Sequence, residues 1–308
     1  MSRPKVILDC DPGHDDAFAL IVAARFVDLV GVTTVAGNAA LELTTRNARI
    51  ILDLCGSRAP LHSGAARPLV QPPVFADYVH GKSGMDGAVL PEPSRPADSD
   101  RAIDFIIDTV RANEGLWLVP TGPLTNVALA LTRAPDLARR LAGISLMGGG
   151  RLGNRTPTAE FNVWLDPEAA ATVFSSGTPI TMAGLHLTHE FQASPERISL
   201  IERSHQRVGP ILAGLLRFFS GTYVNRHHGF VGAAMHDVCA VLALSHPALF
   251  TTSAKHVGID LHGSQTRGMT VVDDRQLLER PAPNATVLET IDADAGFAVI
   301  AEAVAACP

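Results

Sequence analysis

Five short, predominantly apolar runs mark the first part of the chain, and each stops at residues that turn the backbone or carry charge. Val6–Leu8 runs into Asp9, Leu29–Val35 into Gly37-Asn38, and Leu116–Val119 into Pro120-Thr121-Gly122-Pro123. Ile144–Met147 runs into Gly148-Gly149-Gly150, and Ile180–Ala183 into Gly184. Runs of this length without polar alternation suit strands buried on both faces. Between them the spacing predicts helices over Asp16–Phe26, Thr44–Leu54, Ala102–Ala112, Leu124–Arg133 and Pro167–Ser175, with Pro167 suited to a first turn. Strand, loop and helix recurring in this order predict an α/β fold: a Rossmann-like open sheet, mostly parallel, with helices on both faces. The C-terminal third adds a long helix near Val208–Asn225, a helix from Asp237, strands near Val257–Leu261 and Met269–Asp273, and a final helix near Gly296–Ala306. No repeat or low-complexity tract divides residues 1–308, so a single domain is expected.

Charge removes several functions. Lys and Arg total 25 against 31 Asp and Glu, a net charge of −6. A sequence-independent nucleic-acid binder needs a basic stripe, so no nucleic-acid partner is expected. Apolar residues make up 46%, enough for a large core and too many for wholesale disorder. No apolar run reaches the ~18 residues of a membrane span. Met-Ser-Arg-Pro-Lys is followed by only three apolar residues before Asp9, which predicts neither an export signal nor a membrane partner. Cys10, Cys55, Cys239 and Cys307 are scattered without a CxxC pair, so no disulfide framework or structural zinc is expected, and a cytoplasmic location is. Two Pro-rich stretches, Ala59–Val74 and Pro91–Ser99, lack periodicity and flank Tyr78–Gly87, which carries His80. Long ordered loops of this kind are more often functional than linkers.

Ligands of open α/β sheets bind beyond the carboxyl ends of the strands. At the end of the first strand stands Asp9-Cys10-Asp11-Pro12-Gly13-His14-Asp15-Asp16, four carboxylates within eight residues. At a buried strand end they require a cation or hydrogen-bond donors to offset repulsion and desolvation. Oxygen-only ligands point to a hard ion, Ca²⁺ or Mg²⁺. Asp237 and a loop carbonyl such as that of Thr121 could complete its shell, and Pro12-Gly13 supplies a tight turn on which the carboxylates converge. Helix capping accounts for Asp15 and Asp16, which open a helix, but not for Asp9 and Asp11 as well. Other strand ends add Asn38, Asn126, Asn154, Glu160, Asn162 and His236. Taken singly, each asparagine is equally well a turn former, Glu160 a solvated loop acid and His236 a core histidine. Cys10 and Cys239 read as buried apolar fillers, since no histidine-paired motif surrounds them.

Taken together, these residues resemble the nucleoside hydrolases of the inosine–uridine-preferring family. The first cluster is similar to the N-terminal signature of that family. Val35-Ala36-Gly37-Asn38, Thr45-Arg46-Asn47-Ala48, His80-Gly81-Lys82-Ser83-Gly84-Met85-Asp86-Gly87 and Pro120-Thr121-Gly122-Pro123-Leu124-Thr125-Asn126 follow in family order. Met147-Gly148-Gly149, Ala159-Glu160-Phe161-Asn162 with Asp166-Pro167-Glu168-Ala169-Ala170, and His236-Asp237 complete the set, which spans nearly the whole chain.

The resemblance implies hydrolysis of the N-glycosidic bond of ribonucleosides. It implies Ca²⁺ held by Asp11, Asp16, Asp237 and the carbonyl of Thr121, with Asp11 the general base for a calcium-activated water. It implies a ribose pocket of Asp15, Asn38, Asn154, Glu160 and Asn162, walled by Met147, with His236 and His80 near the leaving base. A homo-oligomer, tetramer or dimer, is also implied. Leu152-Gly153-Asn154-Arg155-Thr156-Pro157 and Gly229-Phe230-Val231-Gly232-Ala233 resemble the ribosylpyrimidine branch, which favours uridine and cytidine; a purine-preferring or broad enzyme is the alternative. Three residues depart from that pattern: His228, in a segment expected to cover the base, His186 in place of an aspartate, and Trp164. Rivals of other classes are a haloacid-dehalogenase-type phosphatase and a non-catalytic nucleoside or metal binder. The first expects Ser or Thr where Gly13 stands and leaves Asn38, Asn162 and His236-Asp237 unexplained.

Overall fold

Alternate side chains of the first strand, β1 (Lys5–Cys10), enter two different apolar layers. Val6, Leu8 and Cys10 join one core and Ile7 the other, so both faces of the strand are covered. This computed structural model describes residues 3–225, 229–276 and 279–308. The other strands are β2 (Asp28–Thr34), β3 (Leu61–Ser63), β4 (Trp117–Pro120), β5 (Gly143–Met147), β6 (Ile180–Ala183), β7 (Phe250–Lys255), β8 (Val257–Ile259), β9 (Thr270–Val272) and β10 (Ala285–Ile291). Eight of them form one sheet in the order β3-β2-β1-β4-β5-β6-β10-β7. Neighbours are parallel throughout, except that β7 runs antiparallel to β10.

One face carries helices His14–Phe26, Leu41–Leu54, Val208–Val224, Val238–Ser245 and Ala293–Ala305; the other carries Ala102–Ala112, Thr125–Arg133 and Pro167–Phe174. Helix His14–Phe26 is buried along its first ten residues, His14 to Ala23, with no polar face, as befits a helix enclosed on all sides. Its N-terminal acids therefore lie inside the protein. No described helix is long and apolar enough to cross a membrane. All four cysteines are free.

The five expected strands and the α/β architecture are present, with differences in the connections. Ala59–Val74, expected to lack regular structure, contains β3, whose three residues give too short a run to register. The strands expected near residues 257–261 and 269–273 are β8 and β9, which pair only with each other, apart from the main sheet. Strands β7 and β10 and helix Pro195–Ser204 were not anticipated. Strand β7 is an edge strand of sequence FTTSAK with mostly exposed side chains, so it carries no apolar run.

The Pro-rich stretch 91–99 is fastened by a charge. Arg49, buried in helix Leu41–Leu54, reaches Asp98 with Nη2 3.1 Å from Oδ2. Asp98 also accepts the Leu61 N–H of β3 at 2.8 Å and pairs with Arg95. Asp98→Ala leaves the Arg49 guanidinium enclosed without its carboxylate. Because Asp98 itself is partly reached by solvent, the expected loss is about 2–3 kcal/mol, below the fully buried case. Urea unfolding followed by circular dichroism measures it, and an unchanged midpoint would contradict the role assigned to Asp98.

Candidate active site

The strand order reverses between β1 and β4, which opens a crevice at the carboxyl ends of the two strands. Asp9 pairs in register with Pro120, so the residues just beyond, Asp11 and Thr121, converge there. Asp9 is a brace rather than a wall of the crevice. Its Oδ1 accepts the Thr33 hydroxyl at 2.6 Å and Asn126 Nδ2 at 2.8 Å. Asn126 in turn accepts the Ala65 N–H at 2.8 Å. Burial pushes the Asp9 carboxyl up to about 6 despite those two donors.

Asp11 is held more tightly on one side than the other. Its Oδ2 accepts the Asn38 N–H at 2.7 Å, whereas its Oδ1 is buried with no hydrogen-bond partner. A Cβ at Gly37 would collide with Oδ2, and one at Gly122 would stand 2.5 Å from Oδ1. Only glycine lets both loops close on this carboxylate. Asp16 caps its own helix: Oδ2 accepts the Gly13 N–H at 2.9 Å, and Oδ1 accepts the Thr121 hydroxyl at 2.8 Å. Asp15 accepts the His236 N–H at 3.2 Å.

Carboxylate oxygens of Asp15, Asp16 and Asp237 all lie within 4.8 Å of one another, so Asp15, expected on the ribose side, joins the trio. Burial, then the charge of Asp16, raises Asp15 to about 7. Burial and the neighbouring acids likewise hold Asp11 and Asp237 well above the usual carboxylate range. Among the described residues lining the cavity, none is Lys or Arg. A trio of buried carboxylates with no Lys or Arg in the described lining, beside a bare oxygen on Asp11, offers the oxygen donors that a hard cation takes. The cluster can hold a metal ion. The carbonyl of Thr121, expected as a ligand, accepts Asn162 Nδ2 at 2.8 Å.

Above the acids lies a cavity lined mainly by polar groups. Asp15, Asn38, Thr121, Met147, Asn154, Glu160, Asn162, His80, His236 and Asp237 all line it; Asp11 and Asp16 do not. Glu160 is no solvated loop acid. It caps helix Phe161–Leu165, accepting Asn162 N–H at 2.9 Å and Val163 N–H at 3.1 Å, and it also accepts Gly149 N–H at 2.9 Å. Burial raises its carboxyl while these amides pull it down. Asn154 Oδ1 accepts the Phe161 N–H at 2.9 Å, which ties the loop after β5 to the same helix.

The opposite wall is imidazole and aromatic. His236 Nδ1 lies 2.7 Å from the Thr188 hydroxyl, and its Nε2 meets the Tyr223 hydroxyl. His80 lies with Nδ1 3.0 Å from Nδ1 of His14. Sequence reasoning missed Tyr223, Phe219, Tyr78 and Phe161, which also line the cavity. Phe219 and Tyr223 stand four apart on the expected long helix, and that spacing on one face was the available signal. His228 lies outside the described residues. His186 turns away from the cavity, with Nε2 3.0 Å from the Leu288 carbonyl of β10. Trp164 stacks under Arg155, whose guanidinium carbon is 4.4 Å from the ring centre.

Residues 6–298 match the family model described as inosine-uridine preferring nucleoside hydrolase. The chain is 45% identical over 310 residues to a protein of Photobacterium profundum named pyrimidine-specific ribonucleoside hydrolase RihA, with 99% of each covered. It is 47% identical over 297 residues to a protein of the same name from Shewanella sp. (strain ANA-3), with 95% of this chain and 93% of the other covered. Among solved structures, a purine-preferring ribonucleoside hydrolase from Gardnerella vaginalis superposes with a TM-score of 0.91 at 31% identity, covering 98% of both chains. Buried acids at a sheet switch point, full-length relatives and a shared fold thus agree, and the chain belongs to the inosine-uridine preferring nucleoside hydrolase family.

Proposed function

We propose that this protein hydrolyses the N-glycosidic bond of pyrimidine ribonucleosides such as uridine and cytidine, releasing free base and ribose, and that Ca²⁺ is its resident ion. The observation that carries the reading is the buried Asp15–Asp16–Asp237 trio beside the bare Oδ1 of Asp11, beneath a cavity lined by polar groups. Asp11, Asp16, Asp237 and the Thr121 carbonyl would hold the ion, with Asp15 at hand. When bound, a divalent cation supplies an anchor for ribose hydroxyls and Lewis acidity toward water.

The chain's own residues do the rest. Breaking the C1′–N bond builds positive charge on the sugar, and an acidic floor stabilises that charge where it develops. Asp11 Oδ2 is occupied by the Asn38 amide, so Oδ1 is the oxygen that takes the proton from the attacking water. Asp15, Asn38, Asn154, Glu160 and Asn162 surround the ribose, with Met147 beneath it. Glu160 and Asn154 are fixed by backbone amides before substrate arrives, which lowers the cost of orienting it. His236 relays a proton to the departing base through the Tyr223 hydroxyl on its Nε2, that hydroxyl giving its own proton to the base and taking one from the ring, and His80 stands beside them. The pyrimidine preference is supported by the 45% and 47% identical relatives, set against 31% for the purine-preferring structure. We further propose a single domain over residues 1–308, a homodimeric or homotetrameric assembly and a cytoplasmic location.

A panel of purine and pyrimidine ribonucleosides and their 2′-deoxy forms, assayed for free sugar with and without chelator, tests the activity. Uridine and cytidine should be the best substrates, chelator should stop turnover, and Asp11→Ala should lower kcat by about a thousandfold with the fold intact. Turnover that survives both chelator and Asp11→Ala would contradict the reading.

Acid protonation gives a second prediction. In the metal-free folded chain Asp9 titrates at about 6 and Asp15 at about 7, whereas an unfolded chain releases those protons near pH 4. Between these values the native state binds more protons than the unfolded state, so metal-free stability falls as pH rises. Cation binding displaces the proton of Asp15 and those of Asp11 and Asp237, which burial also holds well above the usual carboxylate range. Calorimetric titration of chelator-stripped protein should show Ca²⁺ affinity rising about tenfold or more from about pH 5 to about pH 7. A flat profile would contradict the carboxylate shell.

A further inference from the structure

Gly13 forms the turn between Asp11 and helix His14–Phe26, and a Cβ there would stand 2.6 Å from Nδ1 of His80. The missing side chain lets His80 close on His14, Nδ1 to Nδ1 at 3.0 Å. Two lone pairs cannot face each other at that distance, so one of the nitrogens carries a proton. The other nitrogen of His14, Nε2, lies 2.8 Å from the Asp86 carbonyl, which can only accept. The proton of the His14 ring is therefore on Nε2, and its Nδ1 offers a lone pair. The proton between the two rings belongs to His80. The His14 backbone N–H also faces His80 Nδ1, at 3.4 Å, but the ring-to-ring contact at 3.0 Å is the shorter of the two and is the one that sets the proton. His14 itself is fixed: it is buried and stacks on Phe218 and Phe219 at 5.4 and 5.0 Å between ring centres. With Nδ1 protonated, the Nε2 of His80 is an acceptor. His80 lines the cavity, and its described hydrogen bonds all run through Nδ1.

We propose that His14 is a positioning residue: it fixes the proton of His80 on Nδ1, so that Nε2 presents a lone pair to the nucleobase and accepts an N–H of its edge, such as the imide N–H of uracil. The inference rests on the nucleoside-hydrolase reading and deepens it. It makes His80 a group that recognises the base, and it leaves proton donation to His236.

A double-mutant cycle tests it. His14→Phe keeps an aromatic ring on Phe218 and Phe219 but removes the acceptor, while His14→Asn restores an acceptor oxygen near the place of Nδ1. His14→Phe should lower kcat/KM for uridine about tenfold, and His14→Asn should recover most of that loss. In a His80→Ala background the same His14→Phe change should cost less than about twofold, because the partner it acts through is gone. A nitrophenyl riboside, which has no imide N–H, should lose less than about threefold. Equal losses in both backgrounds, or on both substrates, would overturn the proposal. Long-range proton–nitrogen spectra of histidine-labelled wild type read the tautomer without any variant: a proton on Nδ1 of His80 supports the proposal and one on Nε2 overturns it. Wild-type turnover of uridine separates the two levels. If wild type releases no ribose from any ribonucleoside, both readings fall; if it does and the cycle is additive, only the role of His14 falls.

Discussion

Mutual repulsion among buried carboxylates organises this molecule. Asp11, Asp15, Asp16 and Asp237 are enclosed at one switch point of the sheet, where burial and neighbouring acids raise the cost of ionising Asp11, Asp15 and Asp237. The fold brings donors against them: the Asn38 amide on Asp11, Gly13 and Thr121 on Asp16, the His236 amide on Asp15. These bonds leave one oxygen of Asp11 bare, and no Lys or Arg stands in the described lining; both features suit a cation. The same acids that burden the apo fold thereby create the affinity that a hard ion exploits.

The surrounding structure holds that cluster still. Gly37 and Gly122 let two loops press on Asp11, and Glu160 locks helix Phe161–Leu165 to the turn after β5. Asn162 then connects that helix to the Thr121 carbonyl. The Pro-rich stretches are part of the same scaffold rather than loose excursions. Gln71 donates to the carbonyls of Trp164 and Leu165, and Asp166 accepts the Leu69 N–H at 3.0 Å. Side chains that meet the sugar are thus positioned by backbone hydrogen bonds from several distant segments, which favours pre-organisation over adjustment on binding.

Most of the sheet was legible because its central strands are short, predominantly apolar runs ending in turn residues. The acid-rich turn after β1 was legible because four carboxylates in eight residues have few stable settings. Edge strand β7 was not, since half-exposed Thr and Ser residues leave no apolar pattern. Helix Pro195–Ser204 did carry a start signal, Ser194 followed by Pro195, that went unread. Within the site, local sequence showed which acids stand near the first strand but not which oxygens meet. Asp15 joins Asp16 and Asp237 through tertiary packing that no spacing rule encodes. The pairing of His14 with His80 joins residues 66 apart in the chain and depends on a glycine whose missing side chain makes room.

A crystal structure grown with calcium chloride, with data collected where calcium scatters anomalously, tests the central claim most directly. The account requires one strong anomalous peak among the carboxylates of Asp11, Asp16 and Asp237 and the carbonyl of Thr121, with Asp15 alongside. A map with no peak there, and with the acids held by their protein donors alone, would contradict it.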